Sequence, residues 1–306
     1  MKLSLVVPCY NEEGNVEKFF SETNRVFENR VSDYEFVFVN DGSKDNTYKN
    51  LKHIYNDLNE KKNVQVISFS RNFGKEAAIY AGLSKAKGDL ICLIDADLQQ
   101  RPEVVLEMLQ KMNETEDCDC VTAYQEERIE NSFISFLKSA FYKTINKFSD
   151  VDFVNGASDF RLMKRSVAEA VLEMSEYHRF SKGLFSYVGF SNEYIPYKAE
   201  ERESGETKWG TKKLIKYAFE GILAFSSLPL KLSSFLGTLS LIASFIYIVL
   251  TAFLAKPFPD TALTNFLILF MGGLILLCIG VTGQYLSKIY AEVKNRPVYI
   301  LKEHLE

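Results

Sequence analysis

Two long uncharged stretches near the C-terminus constrain the fold of this chain more than any other feature. The stretches, 232–255 and 261–287, contain no Asp, Glu, Lys or Arg. A bilayer core about 30 Å thick needs ~20 helical residues, so each stretch is long enough to cross a membrane. A soluble helix of that length would normally carry a charged face. We therefore predict two transmembrane helices, at about 232–255 and 262–287, joined by a tight turn that contains Pro257 and Pro259.

Basic residues flank the outer ends of this predicted hairpin, whereas the turn holds a single lysine, Lys256. Cytoplasmic flanks of membrane spans carry the excess of Lys and Arg. We therefore expect a multi-pass protein of the inner (plasma) membrane with both termini in the cytoplasm. Its parts would be a cytoplasmic domain over 1–210, a linker over 211–230, the spans within 231–290 and a cytoplasmic tail over 291–306. The flanking basic residues are Lys208, Lys212, Lys213, Lys216, Lys231, Lys288, Lys294, Arg296 and Lys302.

The linker has the pattern of an amphipathic helix. Between positions 211 and 225, apolar side chains such as Leu214, Ile215 and Phe219 recur at helical spacing, while lysines take the opposite face. Such a helix can lie in the headgroup plane of a membrane. Packing of the same helix on the cytoplasmic domain is the alternative.

Charge and cysteine content exclude several classes of function. The 36 Lys and Arg residues against 40 Asp and Glu residues give a net charge of −4, so nucleic acid is not an expected partner. The five cysteines form no CxxC pair, and three scattered histidines do not make a zinc site. Disulfides are disfavoured in a reducing cytoplasm.

The N-terminal part of the chain, as far as Met112, alternates between short apolar runs and helical patterns. This alternation predicts an α/β fold with a mostly parallel sheet and helices on both faces. The runs that we interpret as strands are 3–8, 36–40, 64–69 and 90–94. The stretches that we interpret as helices are 14–28, 47–58, 76–86 and 103–112.

Polar residues follow each of the four predicted strands, and ligands of such sheets bind beyond the carboxyl ends of the strands. No GxGxxG or GxxxxGK[ST] loop is present to cradle phosphates. Asp95 and Asp97 instead follow the fourth strand, and paired carboxylates can hold a divalent ion such as Mg²⁺ or Mn²⁺. A DxD sequence alone is also common in surface turns.

At this point the chain resembles the membrane-anchored family 2 glycosyltransferases that act on polyprenyl phosphate, a group related to dolichyl-phosphate mannose synthase and the bactoprenol glucosyltransferases. The motifs that carry the resemblance occur in the family's order along almost the whole chain. They are VVPCYNEEGNV, VNDGSKDNT, SRNFGKEAAIYAG, DADLQ, DFRLM and RESGETKW, followed by the predicted two-span hairpin.

The resemblance implies a GT-A-type catalytic domain and an inverting transfer of a sugar from a nucleotide diphosphate sugar to a polyprenyl phosphate such as undecaprenyl phosphate. It implies a UDP-linked donor, a glucose-like hexose or N-acetylhexosamine, and Mg²⁺ or Mn²⁺ as cofactor. It also implies a homo-oligomer, such as a tetramer, associated through the hairpin, where Gly272, Gly273, Gly280 and Gly283 could allow close helix contact.

The resemblance also assigns roles to residues. The nucleotide would be bound by Pro8, Tyr10, Asn11, Glu12, Asp41 and Asp95, and the metal by Asp95 and Asp97. The catalytic residues would be Asp97 and Asp159, with Asp159 as the expected base. The donor and acceptor phosphates would be bound near Asn72, Gly74, Lys75, Gln99, Arg128, Arg202, Thr207 and Lys208. The chain departs from the family in having Gln125 and Ala199 where relatives commonly carry arginine.

Simpler interpretations exist for these residues and for the whole chain. Asp41, Gly42 and Ser43 form a sequence typical of a plain turn, and Asp159 could simply pair with Arg161. The acceptor phosphate is already largely ionised at neutral pH and needs little help from a base. A processive polysaccharide synthase and a non-catalytic nucleotide-binding membrane scaffold are the alternative functions.

Overall fold

The computed structural model of the protein describes residues 1–58, 63–125, 157–174, 176–177, 179–198 and 260–306, with a few further positions at 233, 235–240, 242 and 246. The strands are β1 (Leu3–Cys9), β2 (Tyr34–Asn40), β3 (Asn63–Phe69), β4 (Leu90–Leu93), β5 (Cys120–Gln125), β6 (Ala157–Lys164), β7 (Asn192–Tyr197) and β8 (Leu301–Leu305). The helices are α1 (Val16–Phe27), α2 (Thr47–Leu58), α3 (Lys75–Lys85), α4 (Pro102–Glu114), α5 (Arg165–Glu173), α6 (Ser181–Tyr187) and α7 (Asp260–Val293).

The strands form one sheet in the order β7-β5-β6-β4-β1-β2-β3-β8. β1 runs parallel to both β2 and β4, β2 runs parallel to β3, and β5 runs parallel to β7. β6 is antiparallel to β4 and β5, and β8 is antiparallel to β3. The sheet is therefore mixed but mostly parallel, and the four strands predicted from the sequence form its centre.

Helices cover both faces of the sheet, as the alternating pattern predicts. In β1, Leu3, Leu5 and Val7 belong to one buried cluster and Val6 to the other, because successive side chains of a strand point to opposite faces. α1, α2 and α4 pack on the first face, and α3, α5 and α6 pack on the second. The four helices predicted in this region are confirmed, with ends that differ only slightly from the predicted ones.

The C-terminal residues supply an edge strand that the sequence did not predict. β8 lies within the predicted tail over 291–306 and pairs antiparallel with β3. The Tyr48 hydroxyl of α2 donates to Glu303 at 2.5 Å. The Tyr299 ring stacks on Phe69, with ring centroids 4.8 Å apart. The end of the chain is thus part of the same folded unit as β1–β4.

The long helix α7 contains the one stretch of the described residues that is long and apolar enough to cross a membrane, the 24 residues Phe270–Val293. Its large apolar side chains face outward; Leu276 is 70% and Val293 77% exposed. This stretch overlaps the second predicted span. Most of the first predicted span, at 232–255, and the whole predicted interfacial linker lie outside the described residues, so the hairpin stays a prediction.

Candidate active site

The carboxyl ends of β1–β4 meet at one edge of the sheet because these strands are neighbours that run parallel. The segments that follow them surround an open cleft of about 600 Å³. Ligand pockets typically have volumes of about 300–1,000 Å³. The residues predicted from the sequence that line it are Pro8, Tyr10, Asn11, Glu12, Asp41, Asn72, Gly74, Lys75, Asp95 and Asp97.

The loops after β1 and β2 are tied to each other by hydrogen bonds. The Asn11 backbone N–H donates to Ser43 Oγ at 3.0 Å, and the Glu12 backbone N–H donates to Thr47 Oγ1 at 2.7 Å. Asn11 also accepts a bond from the backbone N–H of Lys44 at 3.0 Å. Hydrogen bonds between the two loops therefore hold this wall of the cleft together.

Asp41, in the loop after β2, holds the loop after β3 in place. Its side chain is buried, and its two carboxylate oxygens accept the backbone N–H groups of Phe73 at 2.6 Å and Gly74 at 2.9 Å. Burial raises the pKa of Asp41 above its ordinary value, and the two backbone bonds and the nearby Arg71 only partly offset that effect. The carboxylate thus does more than close a turn. Its predicted contact with the nucleotide base stays a prediction.

Lys75 joins two acidic side chains that are far apart in the sequence, Asp95 and Asp159. Its Nζ lies 2.7 Å from Asp95 Oδ1 and 3.3 Å from Asp159 Oδ2. Burial lowers the pKa of Lys75, but the negative charges of Asp95 and Asp159 outweigh burial and keep the pKa above its ordinary value. Lys75 is therefore a permanent cation in this structure.

Asp95 and Asp97 are held in the loop after β4. The Asp95 backbone N–H donates to Gln100 Oε1 at 2.9 Å, and Gln100 Nε2 donates to Asp95 Oδ2 at 3.2 Å. The Gln99 backbone N–H donates to Asp97 Oδ1 at 3.2 Å. The side chain of Gln100, which the sequence did not single out, thus fixes Asp95, and the predicted role of Gln99 near the phosphates stays a prediction.

The two aspartates have the chemistry that a divalent ion requires, since Mg²⁺ is usually held by one or two carboxylates together with substrate phosphates and water. Among the described residues no group of three or more His, Cys, Asp or Glu side chains is arranged to hold a metal. Asp95 and Asp97 therefore fit an ion that arrives with a phosphorylated ligand. They do not form a complete protein cage.

Asp159 lies on β6 beside the cleft, in a small space with no room for water that Lys75, Asp95 and Gln100 also line. Burial raises its pKa, but the charges of Lys75, Lys182 and Arg161 outweigh burial and hold the pKa below its ordinary value. Asp159 Oδ1 is buried and has no hydrogen-bond partner among the described residues. The carboxylate is therefore an anion whose Oδ1 is enclosed by the protein beside the cleft.

Glu76 is a half-buried acid near this site that the sequence did not single out. Both the backbone N–H, at 2.8 Å, and the hydroxyl of Ser181 donate to its Oε2. Burial, followed by the charge of Asp159, raises the pKa of Glu76 to about 7. Glu76 thus attaches the start of α6 to α3 next to Asp159. Nothing in its sequence position distinguishes it from a surface residue of a helix.

The other predicted phosphate-binding residues, Arg128, Arg202, Thr207 and Lys208, lie outside the described residues. Gln125 ends β5, and Ala199 lies just beyond the described part that follows β7.

A comparison with solved structures defines the class of fold. Mannosyl-3-phosphoglycerate synthase from Rubrobacter xylanophilus is 18% identical in sequence, and the match covers 72% of each chain with a TM-score of 0.50. The arrangement of the sheet and its helices is thus that of the GT-A-like glycosyltransferases, which confirms the predicted fold of the catalytic part.

Comparisons of sequence then identify the family. The profile described as glycosyl transferase family 2 matches residues 4–172. The putative glycosyltransferase CsbB of Bacillus subtilis is 39% identical over 98% of this chain and 91% of its own length. The SfII prophage-derived bactoprenol glucosyl transferase of Shigella flexneri is 39% identical over 99% of this chain and 98% of its own. The chain belongs to glycosyl transferase family 2 and is a glycosyltransferase.

Proposed function

We propose that this enzyme transfers a sugar, with inversion, from a UDP-linked or other nucleotide diphosphate sugar to polyprenyl phosphate at the cytoplasmic face of the membrane. The observation that carries the proposal is the full-length similarity to a bactoprenol glucosyl transferase, which covers 99% of this chain and so includes α7 as well as the cleft. A glucose-like hexose or an N-acetylhexosamine is the proposed sugar.

Asp95 and Asp97 are the proposed ligands of a Mg²⁺ or Mn²⁺ ion in the donor complex. When bound, such an ion neutralises the charge that develops on a leaving diphosphate and fixes its position. The residues of the loops after β1 and β2, Tyr10, Asn11 and Asp41, would bind the nucleoside, since they line the same cleft. Asn72 and Lys75 would face the donor phosphates.

Asp159 is proposed to stabilise the reacting sugar and not to remove a proton. The lowered pKa makes this carboxylate a weak base, and a phosphate monoester with a second pKa of about 6 is already largely ionised. A fixed anion next to the anomeric carbon would instead favour the positive charge that the sugar acquires in the transition state.

The contact between β8 and β3 favours a location at the membrane surface. Only a short segment separates the end of α7 at Val293 from Leu301, the first residue of β8. If α7 crosses the bilayer, the catalytic sheet must therefore lie at the face where α7 ends. That geometry would bring the cleft within reach of the headgroup of a lipid acceptor.

The test is transfer by the purified full-length protein. The reaction would contain Mg²⁺ or Mn²⁺, a panel of radiolabelled nucleotide sugars and polyprenyl phosphate in detergent, with Asp97→Asn as the inactive control. We expect one labelled sugar to move to the lipid phase. Label in a polymer would instead identify a processive synthase. Nucleotide binding without transfer to lipid or polymer would identify a scaffold, and either result would refute the proposal.

A further inference from the structure

The ammonium group of Lys75 occupies the position where a cation is needed to keep the acidic side chains of the cleft together. Its Nζ lies 2.7 Å from Oδ1 and 2.9 Å from Oδ2 of Asp95, so it faces both oxygens of that carboxylate. The same nitrogen lies 3.3 Å from Asp159 Oδ2. Neighbouring carboxylates repel each other unless a cation or proton lies between them.

The backbone of Lys75 is fixed, but its charged end is able to move. Lys75 begins α3 directly after Gly74, whose backbone N–H is held by Asp41 at 2.9 Å. The Lys75 side chain is 39% exposed and lines the open cleft. Its four-carbon stem is flexible, and its ammonium is a point charge without the rigid planar fork of an arginine. The ammonium can therefore leave Asp95 by a change of side-chain rotamer, without any movement of the helix.

A divalent ion and the ammonium cannot both take the oxygens of Asp95, since two cations at such short distances repel. We propose that Lys75 is a resident counter-cation that holds the place of the metal. In the enzyme without ligands, the ammonium neutralises Asp95. When the ion binds together with the donor, the ammonium moves away from Asp95 and pairs with the donor diphosphate, while it stays in contact with Asp159. This inference rests on the proposed function, because it takes Asp95 as a metal ligand and a diphosphate as the incoming anion.

A consequence follows for binding without turnover. The ion should bind poorly to the empty enzyme, because it must displace an existing ion pair, and better when a diphosphate is present to receive the ammonium. Lys75 would thus make metal and nucleotide bind together, and its removal should affect the two ligands in opposite directions.

The test measures Mn²⁺ binding to the full-length protein in detergent, by electron paramagnetic resonance of the free ion and without any sugar donor. Lys75→Met should bind Mn²⁺ about fivefold more tightly than the wild type, the upper end of what an ion pair between partly exposed groups contributes. Lys75→Arg retains the charge and should stay within about twofold of the wild type. In the presence of Mn²⁺, Lys75→Met should bind UDP about fivefold more weakly by calorimetry, since it lacks the charge that would receive the diphosphate.

The matched control is Lys164→Met. Lys164 lies at the end of β6 and pairs with Asp119 at 3.0 Å. The two pairs are similarly exposed: the side chains of Lys164 and Asp119 are 42% and 27% exposed, and those of Lys75 and Asp95 are 39% and 31% exposed. Its removal should leave Mn²⁺ binding unchanged. Tighter binding by Lys75→Met than by Lys164→Met therefore reports the local ion pair and not the loss of one positive charge from the protein.

Two results separate failure of this inference from failure of the proposed function. Equal Mn²⁺ affinity of Lys75→Met and the wild type, with binding still lost in Asp95→Asn, would overturn the role of Lys75 and leave the metal site intact. Unchanged binding in Asp95→Asn would remove the metal site itself. Circular dichroism identifies variants that do not fold, and if Lys75→Met is one of them, Lys75→Gln carries the same expectations.

Discussion

Replacement of Gly42 by alanine tests how the loop after β2 positions the loop after β3. Gly42 follows Asp41 and has φ of +60°, a left-handed conformation that glycine adopts without cost. A Cβ atom on this residue would lie 2.2 Å from the Arg71 carbonyl carbon and 2.6 Å from the Asn72 nitrogen. Both neighbours are backbone atoms, so no side-chain rotamer can relieve the contact.

The expected cost has two parts. The left-handed conformation alone costs an alanine about 1–2 kcal/mol. Relief of the contact requires the backbone at Arg71 and Asn72 to retreat by about 1 Å, since ordinary contacts begin near 3.4 Å. That shift would break at least one of the bonds from Phe73 and Gly74 to Asp41, each worth about 1.5–3 kcal/mol for a charged acceptor. We expect Gly42→Ala to lower the free energy of unfolding by about 4 kcal/mol.

Gly189→Ala is the matched control, because Gly189 also has a left-handed φ, +73°, but a Cβ there meets no atom within 4 Å. This variant should lose only the conformational part, about 1–2 kcal/mol. Urea unfolding of the full-length protein in detergent, followed by circular dichroism, measures both. UDP binding measured by calorimetry should weaken at least tenfold in Gly42→Ala and stay unchanged in Gly189→Ala. Equal losses of stability in the two variants would refute the proposed coupling between the loops.

Three further predictions concern the acids and the C-terminal strand. The pKa of Glu76 rises from an ordinary 4.5 to about 7 in the folded protein, so the stability due to its bound proton is present below pH 4.5 and is lost as pH rises to about 7. Glu76→Gln should remove this part of the pH dependence of the thermal midpoint between pH 5 and 8. An unchanged profile would contradict this expectation. Asp159→Asn should lower turnover about 100-fold in the radiolabel assay, a loss of about 2.7 kcal/mol of transition-state stabilisation. The same variant should still bind UDP in the presence of Mn²⁺. Loss of that binding would argue against a role of Asp159 in the reaction. Deletion of residues 301–306 removes β8 from the edge of β3. It should lower the free energy of unfolding by about 3 kcal/mol, at about 1 kcal/mol for each hydrogen bond between the two strands. Denaturation curves identical to those of the wild type would show that the strand adds no stability.

The central part of the sheet could be predicted well from the sequence because local patterns determine it. The runs around Leu5, Phe38, Val66 and Ile91 are mostly apolar, as expected for strands that are covered on both faces. The polar residues that follow each run then had to meet at one edge, because parallel neighbours end together. Prediction of the cleft and most of its lining followed from this rule and needed no knowledge of side-chain positions.

No such local rule exists for β8 or for Glu76. The strand Leu301–Leu305 contains Lys302, Glu303 and His304 between its two leucines, and only pairing with β3 makes this segment a strand. Glu76 resembles an ordinary acidic residue in the first turn of a helix. Partial burial and the charge of Asp159 raise its pKa, and both Asp159 and its hydrogen-bond donor Ser181 are distant from it along the chain.

The linear order of apolar and polar residues thus determined the α/β class, the edge of the sheet where ligands bind and the acidic character of that edge. Only the tertiary structure decided that Lys75 joins Asp95 to Asp159, that Gln100 fixes Asp95 and that Asp41 supports the loop before α3. The physical reason is the range of the forces involved. Strand and helix patterns arise from neighbours within a few positions, whereas ion pairs and buried hydrogen bonds depend on groups that the fold alone brings within about 3 Å of each other.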